Sequence, residues 1–160
     1  MATRYNSLLS QIQSGGLVIL DSGVSTELEK WGQKMDEEAW SARVAIDSFD
    51  MLVSTHQAYI DAGADVITVN SYASSRLVLD PAGLSSQVRS INMKNIEAAQ
   101  LARERCGNDA VLIAGSISHA LSFATNQEQS VEACIAAFDE MVSFFEEGEV
   151  DLILLEMMSI

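Results

Sequence analysis

Four short apolar runs punctuate the chain: Leu17 to Leu20, Val66 to Val69, Val111 to Ala114 and Leu152 to Leu155. They are β-branched or leucine-rich and do not alternate with polar residues. That is the pattern of strands buried on both faces, as in a parallel sheet. The first three end in small or polar residues, Asp21-Ser22-Gly23, Asn70-Ser71-Tyr72 and Gly115-Ser116, and the fourth ends in Glu156. Between the runs the apolar spacing becomes helical. Leu52, His56, Tyr59 and Ile60 share one face, and Gly63 follows as a helix stop. Val88, Ile91, Asn95, Ala98, Ala99 and Ala102 form a second stripe, closed by Gly107. Val131, Ile135, Phe138, Val142 and Phe145 form a third, closed by Gly148. An extra loop or short helix is expected from Thr26 to Asp47.

The chain therefore reads as an α/β protein, β-α-β-α-β-α-β, with parallel strands, because each crossover helix returns the chain to the same edge. An open doubly wound sheet and part of a barrel both fit this order. A complete (β/α)8 barrel needs about 250 residues. The 160 residues here suffice for its N-terminal half. With no helix after the fourth run, residues 1–160 are expected to be a single partial domain, truncated behind that strand.

Charge narrows the partners. The formal net charge is -14, and no Lys or Arg follows Arg105. Nucleic acid and anionic membrane surfaces both require clustered cations, so neither is expected as a partner. No apolar stretch is long enough to cross a bilayer. No signal peptide is expected at the start, and two cysteines make no disulfide framework, so the expected compartment is the reducing cytoplasm.

In parallel α/β folds chemistry gathers at the C-terminal ends of the strands. That rule selects Asp21, Ser22, Gly23, Asn70, Ser71, Tyr72, Gly115, Ser116 and Glu156. Two carboxylates at one mouth can hold an ammonium group or perform acid–base work, although each can equally cap a helix or close a loop. No G-x-G-x-x-G and no G-x-x-x-x-G-K-[ST] occurs, which leaves a nucleotide site without support. His56 is expected to be packed and hydrogen-bonded within its helix, while His119, a few residues past the third run, is within reach of the mouth. Cys106 and Cys134 have no Cys or His neighbour at zinc spacing and are expected to be structural. Trp31 and Trp40 flank the acidic loop Met35-Asp36-Glu37-Glu38 and are expected to anchor it.

These residues together resemble the homocysteine S-methyltransferase family. Ile19-Leu20-Asp21-Ser22-Gly23-Val24-Ser25-Thr26-Glu27-Leu28 is similar to its opening D-G-G-x-G-T-E-L. His56-Gln57-Ala58-Tyr59-Ile60-Asp61-Ala62-Gly63-Ala64-Asp65-Val66-Ile67-Thr68 looks like H-x-x-Y-x-x-A-G-A-D-V-I-T. Asn70-Ser71-Tyr72-Ala73-Ser74, Gly115-Ser116-Ile117 and Leu154-Leu155-Glu156-Met157 match later motifs in order. The resemblance implies half of a (β/α)8 TIM barrel. It also implies transfer of a methyl group from a small donor to the homocysteine thiol, giving methionine. S-methylmethionine, a betaine and methyl-cobalamin all remain open as donors. Carried over to this chain, the substrate-binding positions are Asp21, Ser22, Gly23, Thr26, Asn70, Ser71 and Glu156, with Ser116 and His119 at the mouth.

The family's zinc is held by three cysteines in the second half of the barrel. Cys106 and Cys134 do not match those positions, so the chain alone is expected to bind no catalytic zinc and to transfer no methyl group. Ser22 and Ser25 stand where the family has glycines, and Ser116-Ile117-Ser118-His119-Ala120 departs from its third loop. The alternative expectation is a non-catalytic half-barrel that binds a small amino acid, or a homodimer that closes the barrel through its exposed edges.

Overall fold

A computed structural model describes residues 2–118 and 130–158. In chain order it contains α1 (Ala2–Gln13), α2 (Val24–Lys30), α3 (Val44–Asp47), α4 (Phe49–Asp61), β1 (Val66–Thr68), α5 (Arg76–Leu79), α6 (Val88–Cys106), β2 (Leu112–Ser118), α7 (Val131–Glu147) and β3 (Leu152–Glu156). The sheet order is β1-β2-β3 and both pairings are parallel. Thr68 stands opposite Ala114, and Ser118 opposite Glu156.

The first apolar run does not form the expected full strand. It meets β1 through a single parallel bridge, Leu20 to Val66. Around that bridge the Asp21 amide donates to the Val66 carbonyl at 3.0 Å, and the Asp65 amide donates to the Ile19 carbonyl at 2.8 Å. Among the described residues the run thus lies at the sheet edge, with a strand neighbour on one side only. Leu17 is 84% exposed, and Ile19 and Leu20 are exposed as well. The Asp65 carboxylate fixes the register by accepting the Ile19 amide at 2.8 Å.

Side chains alternate across the sheet. One face carries Ile67, Val69, Ile113 and Ile117, which join the main core with α4, α6 and α7. Helix–helix contact is strongest between α4 and α6, which present Leu52, Val53 and Ile60 on one side and Ile91, Ala98, Ala99 and Ala102 on the other, all buried. The close pass of α7 over β2 depends on Gly115. A Cβ there would stand 2.7 Å from the ring of Phe145, itself buried, so any larger residue forces the helix outward. The opposite face carries Val66, Leu112 and Ala114, with Val18, Leu152 and Leu154 and with Leu8 of α1 packed against them. That helix was not anticipated from the sequence.

β3 departs from the expectation of burial on both faces. Its burial alternates, with Ile153 and Leu155 exposed, because no described helix covers that side. The third helical stripe is also shifted. Ala137, Met141, Phe144 and Phe145 are the buried residues of α7, whereas Val131 and Ile135 are exposed. The first turns of α7 have no described neighbour on the Val131–Ile135 side, whereas Phe145, near the end of the helix, packs over Gly115 of β2. Of the three expected glycine stops, Gly63 and Gly107 are left-handed, with φ of 98° and 61°, conformations that favour a residue without Cβ, whereas Gly148 has φ of -81°.

At the N-terminal ends of the strands the Asp151 carboxylate is fully buried. It accepts from Arg103 at 2.7 Å, from Arg4 at 3.2 Å and from the Ile113 amide at 2.9 Å. One side chain thus ties the start of β3 to β2, α6 and α1.

Candidate functional site: a two-carboxylate mouth

The strands β1, β2 and β3 all end on one side of the sheet, and their inward-facing terminal residues are Thr68, Ser116 with Ser118, and Glu156. Asp21 joins them from the edge run. Its carboxylate accepts the Thr68 amide at 2.7 Å through Oδ2 and the Thr68 hydroxyl at 2.7 Å through Oδ1. The Glu156 carboxylate accepts a hydrogen bond from the Ser116 hydroxyl. The two acids lie close enough for their charges to interact. Burial lifts the Asp21 carboxyl to about 6, the Thr68 hydrogen bonds pull it down, and the Glu156 charge pushes it up. Among the described residues neither acid belongs to an ion pair with Lys or Arg. The mouth thus holds two carboxyl groups whose partners among the described residues are neutral donors, an arrangement suited to a cationic guest.

The remaining sequence-selected residues divide. Ser22 and Gly23 are exposed beside Asp21, and the Tyr59 hydroxyl reaches both, donating to the Gly23 carbonyl at 3.3 Å. Thr26 is exposed on the first turn of α2, with its hydroxyl 3.1 Å from where a Gly23 Cβ would lie. Asn70 is turned away from solvent. Its Oδ1 accepts from the Ser41 hydroxyl at 2.8 Å, and its Nδ2 donates to the Ser41 carbonyl at 2.9 Å and to Asn95 at 3.2 Å. Ser25 extends this chain by donating to Ser41 at 2.9 Å. The serine that replaces a family glycine is thereby used to tie the first loop to the end of β1. Ser71 is buried too, donating to the Ser116 carbonyl at 2.9 Å and accepting the Ser116 amide at 3.1 Å. Asn70 and Ser71 thus brace the rim, while Asp21 and Glu156 face into it. His119 lies outside the described residues.

Sequence reasoning missed Thr68, Ser41 and Asn95. Thr68 looked like one more β-branched strand former, and only its inward register and contact with Asp21 distinguish it. His56 is fully buried as expected, but neither ring nitrogen has a hydrogen-bond partner, and burial lowers its pKa to about 4. Trp40 packs edge-on against Tyr72 with ring centroids 5.9 Å apart, and it closes the acidic loop through paired backbone bonds with Asp36. Trp31 is exposed.

The described residues do not fit a thiolate-type zinc centre. No group of three His, Cys, Asp or Glu side chains among them could hold a metal. Cys106 lies at the end of α6, its Sγ 3.7 Å from Asp61, and Cys134 lies on α7. Among the described residues, no helix is long and apolar enough to cross a membrane.

The family described as Homocysteine S-methyltransferase matches residues 18–160. Homocysteine S-methyltransferase 2 of Arabidopsis thaliana is 30% identical over 112 residues, covering 66% of this chain and 34% of the relative. Selenocysteine Se-methyltransferase of Brassica oleracea var. italica is 32% identical over 102 residues, covering 61% of this chain and 30% of the relative. Among solved structures, the metallated form of the homocysteine methyltransferase MmuM from Escherichia coli superposes with a TM-score of 0.77 at 26% identity. That match covers 96% of this chain and 57% of the other. The chain thus spans about a third of these curated relatives and just over half of the solved one.

Proposed function

The chain belongs to the homocysteine S-methyltransferase family, and from that premise we propose that it is the amino-acid-binding half of a thiol methyltransferase. In this reading Asp21 and Glu156 receive the α-ammonium group of homocysteine, and Ser22, Gly23 and Thr26 shape the wall beside it. Asn70 and Ser71 contribute by holding the rim. The observation that carries the reading is the pair of interacting carboxylates at one mouth, each held by a hydroxyl and neither matched by a cation among the described residues. An ammonium group between two carboxylates makes charge-assisted hydrogen bonds in partly dry surroundings, where each contributes about 1.5–3 kcal/mol. A relative named for selenocysteine has the same recognition problem, because both amino acids present an α-ammonium. No step through zinc is assigned to these residues, since the thiolate site of the family lies outside them. The chain would act in the cytoplasm, where its two free cysteines stay reduced.

The test uses ammonium as the variable. L-homocysteine should shift the amide NMR signals of Asp21, Thr68, Ser116 and Glu156, whereas 4-sulfanylbutanoate, which lacks the amino group, should leave them in place. Equal shifts from the two ligands, or none from homocysteine, would overturn the assignment.

A second reading rests on the apolar edges. Leu17 and Ile19 on one side, and Ile153, Leu155 and Met157 on the other, are exposed. In a closed barrel such strands are covered. Two copies meeting along these edges would form a non-catalytic assembly that still binds an amino acid. Sedimentation velocity across a concentration series separates the readings, because edge pairing requires a dimer that dissociates on dilution.

A further inference from the structure

The carboxylates of the two mouth acids are held from neighbouring strands. Asp21 lies beyond the edge run, where pairing with β1 is down to a single bridge. Glu156 is the last residue of β3, whose outer side is exposed. Each instead leans on a hydroxyl from a better-buried strand. Thr68 ends β1, is buried, and binds Asp21 with both its amide and its hydroxyl at 2.7 Å. Ser116 lies within β2, is fully buried, and donates to Glu156. Its own backbone is clamped from both sides by Ser71, which accepts the Ser116 amide at 3.1 Å and donates to the Ser116 carbonyl at 2.9 Å.

We propose that Thr68 and Ser116 are positioning residues, a pair of hydroxyls on adjacent strands that fix the spacing and orientation of the Asp21 and Glu156 carboxylates for a ligand ammonium. The proposal rests on the ammonium reading above and assigns it two residues that need not touch the ligand. Each hydroxyl donates to its carboxylate in this structure. A two-point grip holds Asp21 in one rotamer, and the Ser71 clamp places Ser116 before any ligand arrives. Pre-organisation of this kind removes the ordering cost from the binding step.

The groups facing Asp21 are Glu156 from β3, Thr68 from β1 and Tyr59 from α4, the last reached also by Glu27 and Lys30 of α2. Of these only Thr68 stabilises the ionised form by direct hydrogen bonding. Removing its hydroxyl must therefore raise the carboxyl midpoint, and restoring a hydroxyl must return it.

The experiment follows the Asp21 side-chain carbon by NMR during a pH titration of the whole 160-residue chain, without ligand. Thr68→Val should move the Asp21 midpoint upward by roughly one pH unit, and Thr68→Ser should leave it near the unmodified value. Ser116→Ala should leave the fold intact and weaken homocysteine binding roughly tenfold. An Asp21 midpoint that is the same in Thr68→Val and the unmodified chain, or that rises equally in Thr68→Ser, would overturn the proposal. Where Thr68→Val does not fold, the unmodified chain still decides. Its Thr68 amide proton should follow pH with the Asp21 midpoint, and an amide that ignores that titration refutes the grip. The carboxyl titration needs no ligand, so its failure is distinct from a failure of homocysteine to bind.

Discussion

Asp151→Ala should cost the chain about 3–5 kcal/mol of stability, the range for breaking a buried ion pair by removing one partner. The Asp151 side chain has no solvent exposure, and it is the shared acceptor for Arg103, Arg4 and the Ile113 amide. Arg103 is only 13% exposed, so after truncation its charge remains largely dry, keeping one bond to the Val111 carbonyl at 3.2 Å. Arg4 is more exposed and can turn to water. Most of the penalty therefore comes from Arg103 and from the Ile113 amide. Urea unfolding of the variant measures it, and a loss under about 1 kcal/mol would show that the pair is screened as surface pairs are. A combined Arg103→Met and Asp151→Leu chain should recover much of the loss, because well-packed apolar replacements for a buried pair are often neutral. Asp151 stands just ahead of β3, and Glu156 ends that strand. The ionic lock at one end of the sheet thus sets the height at which the acid appears at the other. This matches the division of labour in such folds, stability at the N-terminal ends of the strands and chemistry at the C-terminal ends.

The parts of this arrangement that were legible in the sequence are those governed by periodicity and by strand-end position. The runs at 66–69, 111–114 and 152–155 became β1, β2 and β3, and the stripes before Gly63 and Gly107 became α4 and α6. The strand-end rule also selected Asp21 and Glu156, which the structure brings within interaction range. What periodicity could not supply is the identity of the neighbour. The run at 17–20 has the composition of a strand, but among the described residues it has a partner on one side only and forms one bridge. The stripe of α7 counted Val131 and Ile135 as core, yet burial there depends on what crosses above, and they are exposed. Asn70 follows a strand-like run, and that position alone predicts a mouth residue. β1 ends at Thr68, however, and two residues later the side chain meets Ser41 and Asn95 instead. Thr68 was hidden for the opposite reason. A threonine in an apolar run is ordinary for a strand, and its role appears only when Asp21, remote in sequence, comes to lie beside it.

The second large effect concerns what the two-acid mouth costs the fold. Asp21→Asn should stabilise the chain at neutral pH while weakening homocysteine binding by tenfold or more, since it removes a charge that burial disfavours and the ligand uses. The sign follows from linkage. The Asp21 carboxyl is raised from 3.8 to about 6 on folding, so between those values the folded chain holds more protons than the unfolded one. Stability from this group therefore falls as pH rises from about 4 to 6 and stays low above. The displacement corresponds to a penalty on the order of 2–3 kcal/mol at pH 7, an upper figure because the mouth is partly open to water. His56 acts in the other direction. Burial lowers it from 6.5 to about 4, so its contribution is intact above 6.5 and is lost as pH falls toward 4. In the unmodified chain the two slopes oppose each other across nearly the same window and largely cancel. Asp21→Asn removes one of them. The variant should be more stable than the parent at pH 7 and should lose that advantage on acidification, exposing the His56 slope. Chemical denaturation at pH 4, 5, 6 and 7 reads both effects. A variant no more stable than the parent at pH 7, or one whose stability varies with pH as the parent's does, would mean that Asp21 is not held ionised against the preference of its surroundings. The strain would then be absent, and with it the reason for a cationic ligand to enter.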